Sequence, residues 1–208
     1  AIFLGLYLYT WDRFKNPKRH LLLLVPVAIG ASMSAVFITI VNAFMNAPQG
    51  FDIVDGELIN IQPVLAMFNP AMPTKVAHVL VTSYMTAAFL LASIAAYRML
   101  RGSAHVYHKK ALYLLMKLGL VFSLAALVVG DFSGKYLAEY QPEKLAAAEW
   151  HFETEEDASL VLFGVLDGED IKYAIKIPYA LSVLAHNNPF AEVTGLDQFP
   201  KDEQPPLY

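Results

Sequence analysis

Apolar stretches long enough to cross a lipid bilayer constrain this chain more than any other feature. A helix needs about 20 apolar residues to span the hydrocarbon, where its backbone polar groups must be satisfied internally. Three stretches reach spanning length and a shorter one opens the chain, so helices are predicted at 1–11, 21–46, 75–98 and 110–130. The sequence therefore predicts an all-α fold, a polytopic membrane helix bundle over residues 1–130. The first helix has half the spanning length, and we expect it to be the end of a longer helix.

Charge changes sign at the end of the fourth predicted helix. Residues 1–130 contain ten Lys and Arg against four acids, whereas residues 131–208 contain five Lys against fifteen acids. The basic residues concentrate in loops 11–20 and 98–110, which the positive-inside rule places in the cytoplasm. Loop 46–74 and the segment 131–208 are then extracytoplasmic. We expect Gly130-Asp131 to end the fourth helix and the following segment to be an extracytoplasmic, partly helical loop.

A histidine lies inside the third predicted helix, about one turn past Pro73. An intramembrane ionisable residue such as His78 is rare, and most often serves as a metal ligand or a proton relay. The alternative is an ordinary hydrogen bond from the imidazole to a carbonyl of a neighbouring helix. The sequence contains no cysteine, which excludes thiolate metal sites and covalent haem attachment within it. A haem bound here would be held non-covalently.

Further polar residues are weaker candidates. Lys144 and Glu149 could provide a hydrogen-bond donor and a base for a bound ligand. Five positions separate them, or about 140° around a helix, so an ordinary solvated helix is the alternative unless the helix breaks. Asp12, Ser34 and Asn42 could belong to a proton path or to the edge of a cofactor, although Ser and Asn also bond helices to one another.

Six pieces of the sequence, in order, resemble subunit I of the cytochrome bd-type quinol oxidases. They are Trp11-Asp12-Arg13, GASMSAVFITIVNAFMNAP at 30–48, Asn69-Pro70 with KVAHVLVTSYMTAAF at 75–89, Gly130-Asp131-Phe132-Ser133-Gly134, KLAAAEWHFET at 144–154, and IKIPYA at 175–180. Together they extend over essentially the whole chain. The resemblance implies that this chain is the middle of a longer subunit, with further helices on both sides.

The resemblance also implies specific roles. The family oxidises membrane quinol at the outer face through a low-spin haem b and passes the electrons to oxygen-reducing haems, generating proton motive force. His78 would be an axial ligand of the low-spin haem b iron, with a methionine beyond Tyr208 as the other. Lys144 and Glu149 would serve quinol oxidation. Asn42 would lie on a proton path or at a haem edge.

Cofactors and partners follow from the same resemblance. A high-spin haem b and a haem d are expected in the complete complex, with ligands outside this chain. The expected partners are quinol, oxygen in the complete enzyme, subunit II and small subunits, and the lipid bilayer of a bacterial cytoplasmic membrane; no nucleic acid is expected. A di-haem cytochrome b would need paired intramembrane histidines, and only His78 qualifies. The alternative function is a non-redox transporter or channel subunit that uses His78 as a proton relay.

Overall fold

The chain folds into two compact units, Ala1–Ala126 (the N-terminal unit) and Leu127–Tyr208 (the C-terminal unit). The computed structural model describes residues 2–103, 105–168 and 170–207. The N-terminal unit contains α1 (Ile2–Tyr9), α2 (Pro17–Leu21), α3 (Leu24–Asn46), β1 (Asp52–Val54), β2 (Glu57–Ile59), α4 (Pro63–Met67), α5 (Met72–Leu100) and the first part of α6 (Val106–Tyr140). The C-terminal unit contains the end of α6, followed by α7 (Pro142–Ala148), β3 (Leu160–Asp167), β4 (Asp170–Ile177), α8 (Ala180–His186) and a 3-10 turn at Leu196–Gln198.

Within the described residues, three helical segments are long and apolar enough to cross a membrane: Pro17–Asn46, Met72–Leu100 and Val106–Tyr140. They contain the three full-length spans predicted from the sequence, and the short opening stretch forms α1. The predicted fold class, a helical membrane bundle, is confirmed.

Helices α3 and α5 pack against each other in antiparallel directions. Ser32 of α3 meets Tyr84 of α5, with 2.5 Å between the hydroxyl oxygens. Asn42, ten residues after Ser32 in α3, meets Lys75, which lies nine residues before Tyr84 in α5. Small side chains dominate the buried positions of these two helices, which lets the helix backbones approach closely. These positions are Thr39, Ala43, Ala88, Ala92 and Ala95.

Large apolar side chains of this unit lie mostly on its surface. Phe37 is 53% exposed and Ile38 is 69% exposed, and the same pattern continues along α5 and α6. In water such a surface would drive aggregation, whereas lipid or further helices can cover it. The exposed apolar surface therefore agrees with a position in the bilayer.

Helix α6 does not end at Gly130-Asp131, where we expected it to stop; it continues to Tyr140. One glycine costs a helix only about 1 kcal/mol. Asp131 forms an ion pair with Lys135 one helical turn later, and the Ser133 hydroxyl donates to the Val129 carbonyl at 2.9 Å. The end of the apolar run marks a change in the side chains, whereas the backbone hydrogen bonds continue.

A β-hairpin that the sequence reading did not predict lies in the C-terminal unit. Strands β3 and β4 pair antiparallel, from Leu160 opposite Ile177 to Asp167 opposite Asp170. The register shifts on both sides of Phe163. The unit is thus partly helical, as expected, but also contains a two-stranded sheet.

The core of the C-terminal unit is small and built from several elements. Five buried side chains form its main cluster: Leu145, Ala158, Leu181, Ala185 and Val193. A second cluster joins α7 to the 3-10 turn through Ala146, Ala147 and Leu196. Both clusters include α7 residues, so this short helix is fixed by packing on two sides.

Two segments, 153–155 and 193–197, pair with each other in antiparallel directions. Glu155 and Val193 exchange both backbone hydrogen bonds, at 3.3 and 2.9 Å. The Thr154 hydroxyl donates to Asp197 at 2.8 Å and accepts from the Gly195 N–H at 2.9 Å. This pairing therefore ties the residues that follow α7 to the residues that follow α8.

Candidate functional site

His78 lies six residues after the first residue of α5, on a helix whose first turn contains Pro73. Its side chain is exposed on the surface of the N-terminal unit. The His78 carbonyl accepts a hydrogen bond from the Thr82 hydroxyl at 2.7 Å. Within the described ranges, no residue hydrogen-bonds to the imidazole itself, so the ring nitrogens remain available to a ligand.

This arrangement fits one axial ligand of a haem. A neutral imidazole with an open approach can coordinate iron, and the haem macrocycle supplies four further nitrogen ligands. Residues 2–103, 105–168 and 170–207 contain no group of three or more His, Cys, Asp or Glu suited to a bare metal ion. Met85, seven residues or about 10 Å further along α5, accepts a hydrogen bond from the Ser123 hydroxyl through its sulfur at 3.5 Å. Met85 therefore faces α6, and a second axial ligand would come from elsewhere.

Among the weaker candidates, the structure brings Asn42 to the His78 end of α5. The Asn42 side-chain oxygen lies 3.4 Å from the Lys75 ammonium nitrogen, and Lys75 precedes His78 by one helical turn. Ser34 is exposed about 12 Å earlier along α3. Asp12 is exposed in the turn before α2, at the opposite end of α3 from Asn42. The structure does not bring Ser34 or Asp12 together with His78.

Glu149 opens onto a pocket of about 220 Å³ in the C-terminal unit. One wall is the end of α7 with the residues that follow it, and the other is β3. The lining residues are Ala148, Glu149, Trp150, Val161, Leu162, Phe163 and Gly164. Glu149 is the ionisable group among otherwise apolar or aromatic walls. A larger cavity of about 430 Å³ is lined by residues 62–65 and Phe68, which include no ionisable side chain. Of these two cavities, only the smaller one therefore has a side chain that can exchange a proton with a ligand.

The local backbone explains how Glu149 enters the pocket. Helix α7 ends at Ala148, and the Glu149 N–H caps it by donating to the Leu145 carbonyl at 3.0 Å. Trp150 then adopts a left-handed conformation with φ of 52°. The helix therefore ends between Lys144 and Glu149, so the two residues do not lie on one continuous helix. Burial raises the pKa of Glu149 above its ordinary value of 4.5.

Lys144 lies on α7 itself and is half-buried. It is not among the described residues that line the pocket. Glu149 therefore lines the pocket, whereas Lys144 lies on the helix that precedes it.

The sequence reading missed the opposite wall of this pocket. A Cβ atom added at Gly164 would lie 3.6 Å from Trp150 Cζ3 and 2.5 Å from Ile171 Cγ2, so only glycine leaves this space open. A signal for the hairpin was present. Asp167-Gly168 separates two runs rich in β-branched residues, and Gly168 has a φ of 70°. No feature of the sequence indicated that Trp150 would face this strand.

His20 is the other histidine with a distinctive environment. It is 7% exposed, and its Nε2 lies 2.8 Å from the Tyr7 carbonyl oxygen. The imidazole stacks on Tyr7 and Phe14 and meets Trp11 edge to face. These contacts hold α1 against the turn and α2, which is a structural role.

Comparisons with known proteins agree with the resemblance seen in the sequence. Residues 1–208 match the family model for cytochrome bd terminal oxidase subunit I. A Bacillus subtilis (strain 168) protein provisionally named cytochrome bd menaquinol oxidase subunit I is 43% identical over all of this chain, which covers 48% of that protein. The cytochrome bd-II ubiquinol oxidase subunit 1 of Escherichia coli (strain K12) is 31% identical, with 100% of this chain and 41% of that protein covered.

A solved structure shares the fold. The bd oxidase from Geobacillus thermodenitrificans contains a chain that is 69% identical and superposes with a TM-score of 0.92, covering 100% of this chain and 48% of that one. The present chain therefore spans about half the length of the proteins it matches or less.

Proposed function

The chain belongs to the cytochrome bd terminal oxidase subunit I family, and on this premise we propose that it forms the quinol-oxidising part of a respiratory terminal oxidase. The complete enzyme oxidises a membrane quinol, passes the electrons to oxygen and contributes to the proton motive force. We assign oxygen reduction to a high-spin haem b and a haem d whose ligands lie outside this chain.

We assign His78 as one axial ligand of a low-spin haem b. Its support is an exposed imidazole without a hydrogen-bonded competitor in the described chain, on a helix of membrane-spanning length. His78 would hold the haem near the first turn of α5, and the bound group would supply one-electron transfer.

The half-buried Glu149 carboxylate is the observation that carries the quinol assignment. A quinol ring is apolar with two hydroxyl groups, which matches a pocket of apolar walls and one ionisable group. Each quinol loses two protons with its two electrons, so the site needs a proton acceptor. Because burial raises the pKa of Glu149, this carboxylate is a better match to neutral pH than an exposed one. Lys144, on the adjoining helix α7, would donate a hydrogen bond to the quinol or stabilise negative charge that develops on it.

The charge asymmetry of the sequence supports an extracytoplasmic position for residues 131–208. Protons released from quinol at Glu149 would then leave on the outer side of a bacterial cytoplasmic membrane. Subunit II, small subunits and lipid would cover the exposed apolar side chains of α3, α5 and α6.

A spectrum and an oxygen measurement on the intact, purified oxidase test this function together. We expect a Soret band with a low-spin haem b signal, and oxygen consumption driven by ubiquinol or menaquinol analogues; the faster of the two identifies the quinol. A purified protein without a Soret band would reject the proposal and leave a transporter or channel subunit with His78 as a proton relay.

A further inference from the structure

Lys75 and His78 lie on one face of α5, one turn apart. Side chains three positions apart on a helix are surface neighbours, with Cβ atoms about 5–6 Å from each other. Lys75 is the closer of the two to the first residue of the helix, Met72. The His78 side chain is exposed, and Lys75 is half-buried. A ligand bound to His78 on this face would therefore lie beside the Lys75 ammonium group.

Asn42 fixes the direction of that ammonium group. Its side-chain oxygen, on the neighbouring helix α3, lies 3.4 Å from the Lys75 nitrogen. The Asn42 carbonyl in turn accepts a hydrogen bond from the Asn46 side chain at 2.8 Å. An amide oxygen binds one of the three ammonium hydrogens without neutralising the charge. Asn42 therefore helps to orient the Lys75 side chain.

The start of α5 favours an anion for a second reason. The partial positive charge at the beginning of a helix stabilises a nearby negative group, and the first turn of α5 contains no acidic residue. A haem carries two propionate carboxylates, and a carboxylate at the edge of hydrocarbon needs a cationic partner. The nearest helix end to His78 is the one where Lys75 lies.

We propose that Lys75, oriented by Asn42, binds a propionate of the haem held by His78. This inference rests on the proposed function, because it assumes a haem on His78. It assigns to Lys75 the role of a cofactor-binding residue that also raises the tendency of the haem to accept an electron. A positive charge near the haem would favour the reduced state, which carries one more negative charge.

The test replaces Lys75 by Gln in the full-length oxidase and titrates the low-spin haem spectroelectrochemically. We expect the low-spin spectrum to remain and the equilibrium constant for its reduction to fall about tenfold, a decrease of about 59 mV for one electron. Arg98→Gln is the matched control, because it removes the same charge at the far end of α5, roughly 30 Å from His78. Lys75→Arg should keep the wild-type potential. Asn42→Leu should lower the potential by less than Lys75→Gln does.

Infrared difference spectra of haem labelled with ¹³C at the propionates test the contact itself. The labelled carboxylate band should move in Lys75→Gln and stay in place in Arg98→Gln. Loss of the haem from Lys75→Gln with retention in Lys75→Arg would also support the ion pair. An unchanged potential and carboxylate band in Lys75→Gln, or loss of haem from both Lys75 variants, would overturn it. A His78→Ala oxidase that retains its low-spin haem would reject the proposed haem site instead.

Discussion

Burial and hydrogen bonding shift two carboxyl groups of the C-terminal unit in opposite directions. Burial beside apolar side chains raises the pKa of Glu149. Asp197 is exposed, and chiefly the hydrogen bond from the Thr154 side chain lowers its pKa below the ordinary value of 3.8. Asp197 therefore stays charged and holds a loop, whereas Glu149 can exchange a proton nearer to neutral pH. The chemistry of each acid follows from the residues around it.

Replacing Glu149 by Gln should slow quinol oxidation and leave every haem spectrum intact. The variant loses a charge-assisted hydrogen bond worth about 1.5–3 kcal/mol, which corresponds to roughly a ten- to hundredfold lower kcat/KM for quinol. Lys144→Ala should show the same pattern. Oxygen consumption with quinol measures the effect, and Glu156→Gln, at an exposed position of the same unit, is the matched control. An equal loss with an artificial donor that bypasses the quinol site would indicate a folding defect.

The pH dependence of the same reaction gives a separate prediction. A base must be deprotonated to accept a proton, so kcat/KM for quinol should rise with pH through the pKa of Glu149. Because burial raises that pKa above 4.5, the rise should lie at a higher pH than an ordinary glutamate would give. Glu149→Gln should abolish this limb of the profile. A limb that persists unchanged in the variant would assign the titration to another group.

Replacing His78 by Ala in the full-length subunit should remove the low-spin haem b spectrum and abolish quinol oxidation. An iron that loses one of two axial ligands either becomes high-spin or leaves the protein. Difference spectra of the purified oxidase measure this result. His186→Ala removes an exposed histidine at the end of α8 and should keep the wild-type spectrum. A wild-type low-spin signal in His78→Ala would exclude His78 as the ligand.

The elements of this chain differ in how far their sequences predict them. The membrane-length helices could be predicted because the thickness of hydrocarbon sets a minimum apolar length, and α3, α5 and α6 meet it. The end of α6 could not be located in the same way. Hydropathy reports where side chains change their solvent, whereas the Asp131–Lys135 ion pair supports further helical turns in a polar segment.

The pocket at Glu149 could be predicted from the sequence only in part. Glu149 was a candidate from the sequence. The pocket wall on β3 depends on the hairpin register and on the left-handed backbone at Trp150. The contact between Trp150 and β3 joins segments distant in sequence, so local patterns do not predict it, whereas Asp167-Gly168 could have indicated the hairpin itself.

Replacing Gly195 by Ala should destabilise the pairing between segments 153–155 and 193–197. An added Cβ would lie 2.4 Å from the Glu153 carbonyl carbon and 2.6 Å from the Thr154 nitrogen, and backbone atoms cannot rotate away as a side chain can. Overpacking of this kind costs about 1–3 kcal/mol or more. Limited proteolysis of the oxidase should cut the C-terminal unit faster in this variant. The control is Gly130→Ala on α6, where the added Cβ would meet no described atom within 4 Å apart from its chain neighbours and the adjacent backbone of its own helix. Equal cutting rates in both variants and the wild type would contradict the prediction.

The distribution of charge over the whole chain predicts which side of the membrane each loop occupies. Positive residues near helix ends are retained in the cytoplasm, and acidic residues contribute little to this sorting. The basic loops 11–20 and 98–110 are separated by two membrane-length helices. They can therefore lie on the same side, and residues 131–208 then lie on the other. A haem on His78 would lie near the outer side, because His78 is close to the beginning of α5 and the loop 98–110 follows its end.

Cysteine labelling tests this orientation directly, because the natural sequence contains no cysteine that would react. Single Ser159→Cys and Ser103→Cys variants place a thiol in the C-terminal unit and in the loop 98–110, respectively, and both positions are half-buried. In intact cells stripped of any outer membrane, an impermeant maleimide should label the variant at position 159 and spare the variant at position 103. Permeabilised cells should label both, which controls for access to each thiol. Labelling at position 103 without labelling at position 159 in intact cells would reverse the orientation, and the protons from quinol would then be released into the cytoplasm.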